Sequence, residues 1–105
     1  MGEVFKDELD KHVKFISSLT GVLQIYLFGS YANGEQRKTS DVDLMIIIEN
    51  SLDPFKTAYR IRKGLTETDL PIDIVVNRKS AFEEASKNSS FQKSIMENGV
   101  LLYAA

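Results

Sequence analysis

The sequence predicts an α/β fold, with a mixed β-sheet whose helices lie mainly on one face. Three observations carry this expectation. The runs Val22–Phe28 and Val42–Ile48 are largely apolar and of strand length, and the second is rich in β-branched residues. Stripes at the helical period alternate with such runs along the whole chain, as a layered helix-and-sheet domain requires. The 105 residues contain no internal repeat or linker, so they are expected to form a single domain, 1–105, around one core.

Each element has its own local reason. Residues 3–19 read as a helix, because Phe5, Leu9, Val13, Ile16 and Leu19 fall on one stripe, and Gly21 stands where a helix stop is expected. Val22–Phe28, apolar apart from Gln24, reads as a buried strand. Residues 29–34 suggest a turn with one helical turn, and the polar stretch 35–40 a surface loop. Val42–Ile48 reads as the central strand. Asp53 before Pro54 is an N-cap followed by proline at the first helical position, and Phe55, Ala58, Ile61 and Leu65 offer an apolar face. A third strand is expected over 70–76. Ser80-Ala81-Phe82-Glu83 spells a capping box that opens a helix, which Asn88-Ser89-Ser90 breaks. A last helix over 91–98 ends at Gly99, and 100–103 form a terminal strand.

Composition excludes several classes. A net charge of −2 does not indicate a nonspecific nucleic-acid or anionic-membrane surface. With no cysteine there is no disulfide, thiolate metal site or thiol nucleophile. The charged first 14 residues lack a signal-peptide core, and the longest apolar run, 44–48, is far too short to span a bilayer. A cytoplasmic protein without membrane association is expected.

The chemistry concentrates in carboxylates set among apolar residues. In a strand, residues two apart share a face, which brings Asp41 and Asp43 together at the start of the second strand. Val42, Leu44, Ile46 and Ile48 then take the other face, under the helices. Two anions so close repel unless a cation intervenes, and hard oxygen ligands suit Mg²⁺ or Mn²⁺ rather than zinc. Asp73, inside the apolar run Pro71-Ile72-Asp73-Ile74-Val75-Val76, can complete a triad if its strand pairs beside the second. The bland alternatives are an Asp-x-Asp that merely marks a strand end and an Asp73 that pairs with Arg60 or Arg62. Gly29-Ser30 shifts the balance. Glycine allows a tight turn and close approach of a phosphate, and a helical start at Ser30 offers backbone N–H groups and a hydroxyl to it. No lysine follows, so a P-loop is not supported.

Together, Phe28-Gly29-Ser30, the ten residues 31–40, Asp41-Val42-Asp43 and the later Asp73 resemble the nucleotidyltransferase superfamily typified by DNA polymerase beta. They look most like its minimal nucleotidyltransferase domains, and the likeness extends to the ending Glu97-Asn98-Gly99-Val100-Leu101-Leu102-Tyr103. One departure is visible: many minimal members carry Arg after the Ser-x-Ala step, where this chain has Asn33, leaving Arg37 and Lys38 as the loop's basic residues. The resemblance implies a polymerase beta palm-like fold and transfer of a nucleoside monophosphate, AMP foremost, from a nucleoside triphosphate (ATP) to an acceptor hydroxyl. It assigns Asp41, Asp43 and Asp73 to metal binding and catalysis, and Gly29 and Ser30 to phosphate. It also implies a helical HEPN-type partner protein, for which the chain would act as antitoxin in a toxin–antitoxin pair. A module that neutralises its partner by binding alone, and a nucleotide sensor, remain the alternatives. A homodimer stays open. Nucleic acid is not the expected acceptor, because the only basic cluster, Arg60, Arg62 and Lys63, reads as a solvated helix face. His12, the only histidine, reads as a core-edge residue of the first helix, and Tyr31 as packing.

Overall fold

A computed structural model of the chain describes residues 3–29, 42–65 and 71–105. In chain order the elements are α1 (Glu3–Ser17), β1 (Val22–Phe28), β2 (Val42–Ile48), α2 (Pro54–Gly64), β3 (Ile72–Arg78), α3 (Lys79–Asn88), α4 (Ser90–Asn98) and β4 (Val100–Ala104). The four strands form one sheet in the order β3-β2-β1-β4. β1 is antiparallel to β2 and to β4, while β2 and β3 are parallel, so the sheet is mixed as expected. The loop expected over 30–40 lies outside the described residues.

The helices are shared between the two faces more evenly than the sequence suggests. Val42, Leu44, Ile46 and Ile48 of β2 pack with Leu9 and Ile16 of α1 and Ile61 of α2. On the opposite face, Met45 and Ile47 pack with Phe82 of α3 and Ile95 of α4. The cause lies in the strand itself. Residues 44–48 are apolar without alternation, so β2 can be stable only if both of its faces are covered.

Two local expectations change. Phe55 does not join the apolar face of α2 but is 87% exposed. The helix turns Thr57 and Ile61 inward, and Phe55, two residues before Thr57, is rotated about 200° away from it. Thr57 tolerates burial because its hydroxyl donates to the Asp53 carbonyl at 2.9 Å. The capping box at Ser80 does not form either. The helix begins two residues earlier than a Ser80 cap requires, at Lys79 after Arg78, and the Ser80 N–H donates to Oδ1 of Asn50 at 2.9 Å, a cap from outside the helix. The Asp53 cap does form, accepting from the N–H of Phe55 at 2.8 Å and of Lys56 at 3.3 Å. Among the described residues no helix is long and apolar enough to cross a membrane.

Candidate active site

The site is built where β1 ends and where β2 and β3 begin. Gly29, directly after β1, has φ +76°, a backbone state that residues with a Cβ rarely adopt. A Cβ at Gly29 would also run into Oδ2 of Asp43 and lie 3.3 Å from its Cγ. Glycine is therefore required twice, by the turn and by the carboxylate that rests against it. Gly29 and Asp43, fourteen residues apart in sequence, meet at this contact.

Asp43 is held by the most buried strand among the described residues. Its neighbours Val42 and Leu44 are fully buried, while Asp43 itself is half-buried. The Val42 N–H donates to the Pro71 carbonyl at 2.8 Å, at the start of the parallel ladder between β2 and β3. In that ladder Asp43 pairs with Asp73. Neighbouring strands run about 4.8 Å apart, and paired residues point to the same face. That face is the one carrying Met45 and Val75, and further along it the Asn77 amide reaches the Met45 sulfur at 3.6 Å. Asp73 is exposed, on an edge strand, so one of the two carboxylates is open to approach from solvent.

An oxygen-only donor pair on adjacent strands fits a hard divalent cation of the Mg²⁺ or Mn²⁺ kind, which relieves the repulsion between the two groups. The remaining members expected from the sequence, Ser30 and Asp41, lie outside the described residues, as do Tyr31, Asn33, Arg37 and Lys38. Accordingly, no cluster of three metal-ligating side chains occurs among the described residues. Neither Arg60 nor Arg62 forms an ion pair with Asp73. His12 is buried on α1, with Nε2 3.5 Å from Oε1 of Glu8, on the sheet face opposite Asp43.

One wall of the site is not evident in the sequence. Beside Gly29 a cavity of about 200 Å³ is lined by Phe28 and by Phe91, Ser94, Ile95 and Asn98 of α4. The Phe28 and Phe91 rings meet edge to face, 5.5 Å between centroids. The only advance signal is the helical spacing of Phe91, Ser94, Ile95 and Asn98. That spacing says nothing of which strand they approach.

Known proteins share this plan. Residues 9–102 match the family model described as a nucleotidyltransferase domain. The chain is 41% identical over 95 residues to "Putative protein adenylyltransferase MJ1379" of Methanocaldococcus jannaschii, covering 89% of each chain. It is 32% identical over 73 residues to the protein adenylyltransferase MntA of Shewanella oneidensis, a match covering 69% of this chain and 52% of that protein. Among solved structures, one described as a putative nucleotidyltransferase from Sulfolobus solfataricus superposes with a TM-score of 0.66 at 19% identity, covering 93% of this chain and 78% of that one. A toxin–antitoxin structure with AMP-PNP superposes at 0.52 and 21% identity, covering 94% of this chain and 73% of that one, so the two structures share the fold. With a family match across nearly the whole chain, and with its glycine turn and paired aspartates brought together by the sheet, the chain belongs to the nucleotidyltransferase domain family.

Proposed function

We propose that this chain transfers AMP from ATP to a hydroxyl group on a partner protein, of the helical HEPN type, for which it acts as antitoxin. The observation that supports this most is the register of Asp43 against Asp73, with the Asp43 carboxylate lying against Gly29. The protein acceptor rests on relatives named as protein adenylyltransferases.

In this reading Asp41, Asp43 and Asp73 would hold Mg²⁺, or Mn²⁺ in its place, which when bound would supply charge neutralisation at the phosphates and acidify the acceptor hydroxyl. Gly29, lacking a side chain, lets the outer phosphates approach the backbone, and Ser30 donates its hydroxyl to them. Asp73, on the open edge strand, faces the acceptor and takes its proton. The acceptor oxygen forms a bond to the α-phosphorus, the bond to the bridging oxygen breaks, and pyrophosphate leaves.

The test is incubation with α-labelled ATP, Mg²⁺ and the product of the adjoining gene. Label is expected on that protein, and Asp43→Asn and Asp73→Asn are each expected to lower the rate about 100-fold or more, the equivalent of roughly 3 kcal/mol of charge stabilisation. Absence of label with all four nucleotides, and with Mn²⁺ in place of Mg²⁺, would overturn the proposal.

A further inference from the structure

We infer that the outer face of α2, together with the groove between α2 and the β3 edge, is the docking surface for the protein that carries the acceptor hydroxyl. We further infer that it receives an acidic segment with an apolar ridge. This rests on the protein-acceptor reading above and adds to it where the partner sits and what its surface carries.

The outer face of α2 has an unusual composition. Phe55 and Tyr59 are 87% and 66% exposed, more than any other large apolar side chain among the described residues. With Arg62 they stand at i, i+4 and i+7, which makes one stripe along the helix. Lys56, Arg60 and Lys63 repeat the same spacing one residue on, so a basic stripe runs beside the aromatic one. All four cations are exposed and α2 contains no acidic residue, in a chain whose net charge is −2. A helix that merely faces water mixes charges of both signs. This one pairs two exposed aromatic rings with cations only, and aromatic residues and arginine are the types enriched at interfaces.

The groove gives the stripe a partner-shaped floor. It measures about 320 Å³ and is lined by Phe55, Ala58 and Arg62 of α2 and by Ile74, Val76 and Asn77 of β3. Its aliphatic floor accepts a ridge of apolar side chains, and the cations along one side select carboxylates on the partner. A basic surface with aromatic rings could also take single-stranded nucleic acid, by stacking. The floor of Ala58, Ile74 and Val76 favours a protein, because aliphatic side chains give bases no ring to stack on.

Topology sets this surface at the β3 edge, next to the end of the sheet that holds the carboxylates. α2 is the crossover between the parallel strands β2 and β3, so it starts where β2 ends and returns the chain to the end where β3 begins. Its last turn, carrying Arg62 and Lys63, therefore lies toward the end of the sheet that holds Asp73, the exposed carboxylate of the edge strand. α2 packs on the sheet face opposite Asp43 and Asp73, so a partner seated in the groove reaches Asp73 around the β3 edge, where Ile74 of the groove is its neighbour in the strand.

The experiment uses the full chain and the product of the adjoining gene, with affinity read by calorimetry and association rate by stopped flow. Phe55→Ala/Tyr59→Ala is expected to weaken binding about tenfold or more, as removal of anchoring aromatics does. Arg62→Glu/Lys63→Glu is expected to slow association and abolish its salt dependence. Both variants should keep the wild-type urea midpoint and the wild-type affinity for ATP with Mg²⁺. Asp43→Asn should lose label transfer and keep its affinity for the partner, which separates failure of the chemistry from failure of the docking surface. The inference is overturned if wild-type chain does not bind the adjoining gene's product, or if both surface variants bind it within twofold of wild type. It is also overturned if the variants lose binding to a labelled uridine 20-mer but not to the protein.

Discussion

Gly29 is the residue on which the site depends most sharply. Its φ of +76° and the Asp43 carboxylate pressed against it act on the same atom position, the absent Cβ. Gly29→Ala is expected to lower stability by about 1–2 kcal/mol from the left-handed backbone alone. It should also push Asp43 off its place, so label transfer should fall further than the lost stability explains. Urea denaturation and transfer assays on the same preparation check both, and a variant that merely loses stability would show that the contact with Asp43 is dispensable. At this scale the sequence was informative about residue type and silent about contact. An aspartate inside the apolar run 71–76 is conspicuous on desolvation grounds. That Gly29 touches Asp43, and that Phe55 turns outward, follow from the rotation of elements against one another, which no local pattern encodes.

Capping shows the same division at the scale of elements. Asp53 followed by Pro54 is readable from the sequence because donor and acceptor lie within three residues, and both cap bonds form. Asp53→Ala should therefore cost about 1 kcal/mol. The Ser80–Glu83 motif has the letters of a capping box, yet the Ser80 N–H is taken by Asn50, thirty residues earlier. Ser80→Ala is accordingly expected to be near neutral, within about 0.5 kcal/mol, whereas Asn50→Ala should cost about 1 kcal/mol by leaving that N–H without its cap. Chemical denaturation of the three variants tests the ranking, and a costly Ser80→Ala would show that the local motif governs after all. Strand bounds were legible for β1 and β2 because long apolar runs end abruptly. The parallel pairing of β2 with β3 was not, since the two strands are separated by a helix and their register depends on tertiary packing.

Across the whole molecule, β2 does two jobs, and they are separable along its length. Its residues from Leu44 to Ile48 are fully buried between two helix layers, and they anchor both apolar clusters of the core. Its beginning places Asp43 beside Asp73, where the proposed chemistry would run. Ile48 is five residues from Asp43, about 17 Å along an extended strand. Truncating Ile48 to alanine leaves a cavity under α1 and α2 and should cost about 2–5 kcal/mol. That is a large share of the roughly 5–15 kcal/mol that holds a domain folded. The site, however, is fixed by local devices: the Val42 bond to Pro71, the Asp43–Asp73 register and the glycine turn. Ile48→Ala should therefore lower the urea midpoint yet transfer label at the wild-type rate per folded molecule, measured at low temperature. Asp73→Asn should do the reverse, keeping the midpoint and losing transfer, because its exposed edge carboxylate adds almost no packing and, in the proposed reaction, takes the acceptor's proton. Equal loss of transfer per folded molecule in both variants would mean that the carboxylate pair is positioned by the core as a whole rather than by its own end of the sheet.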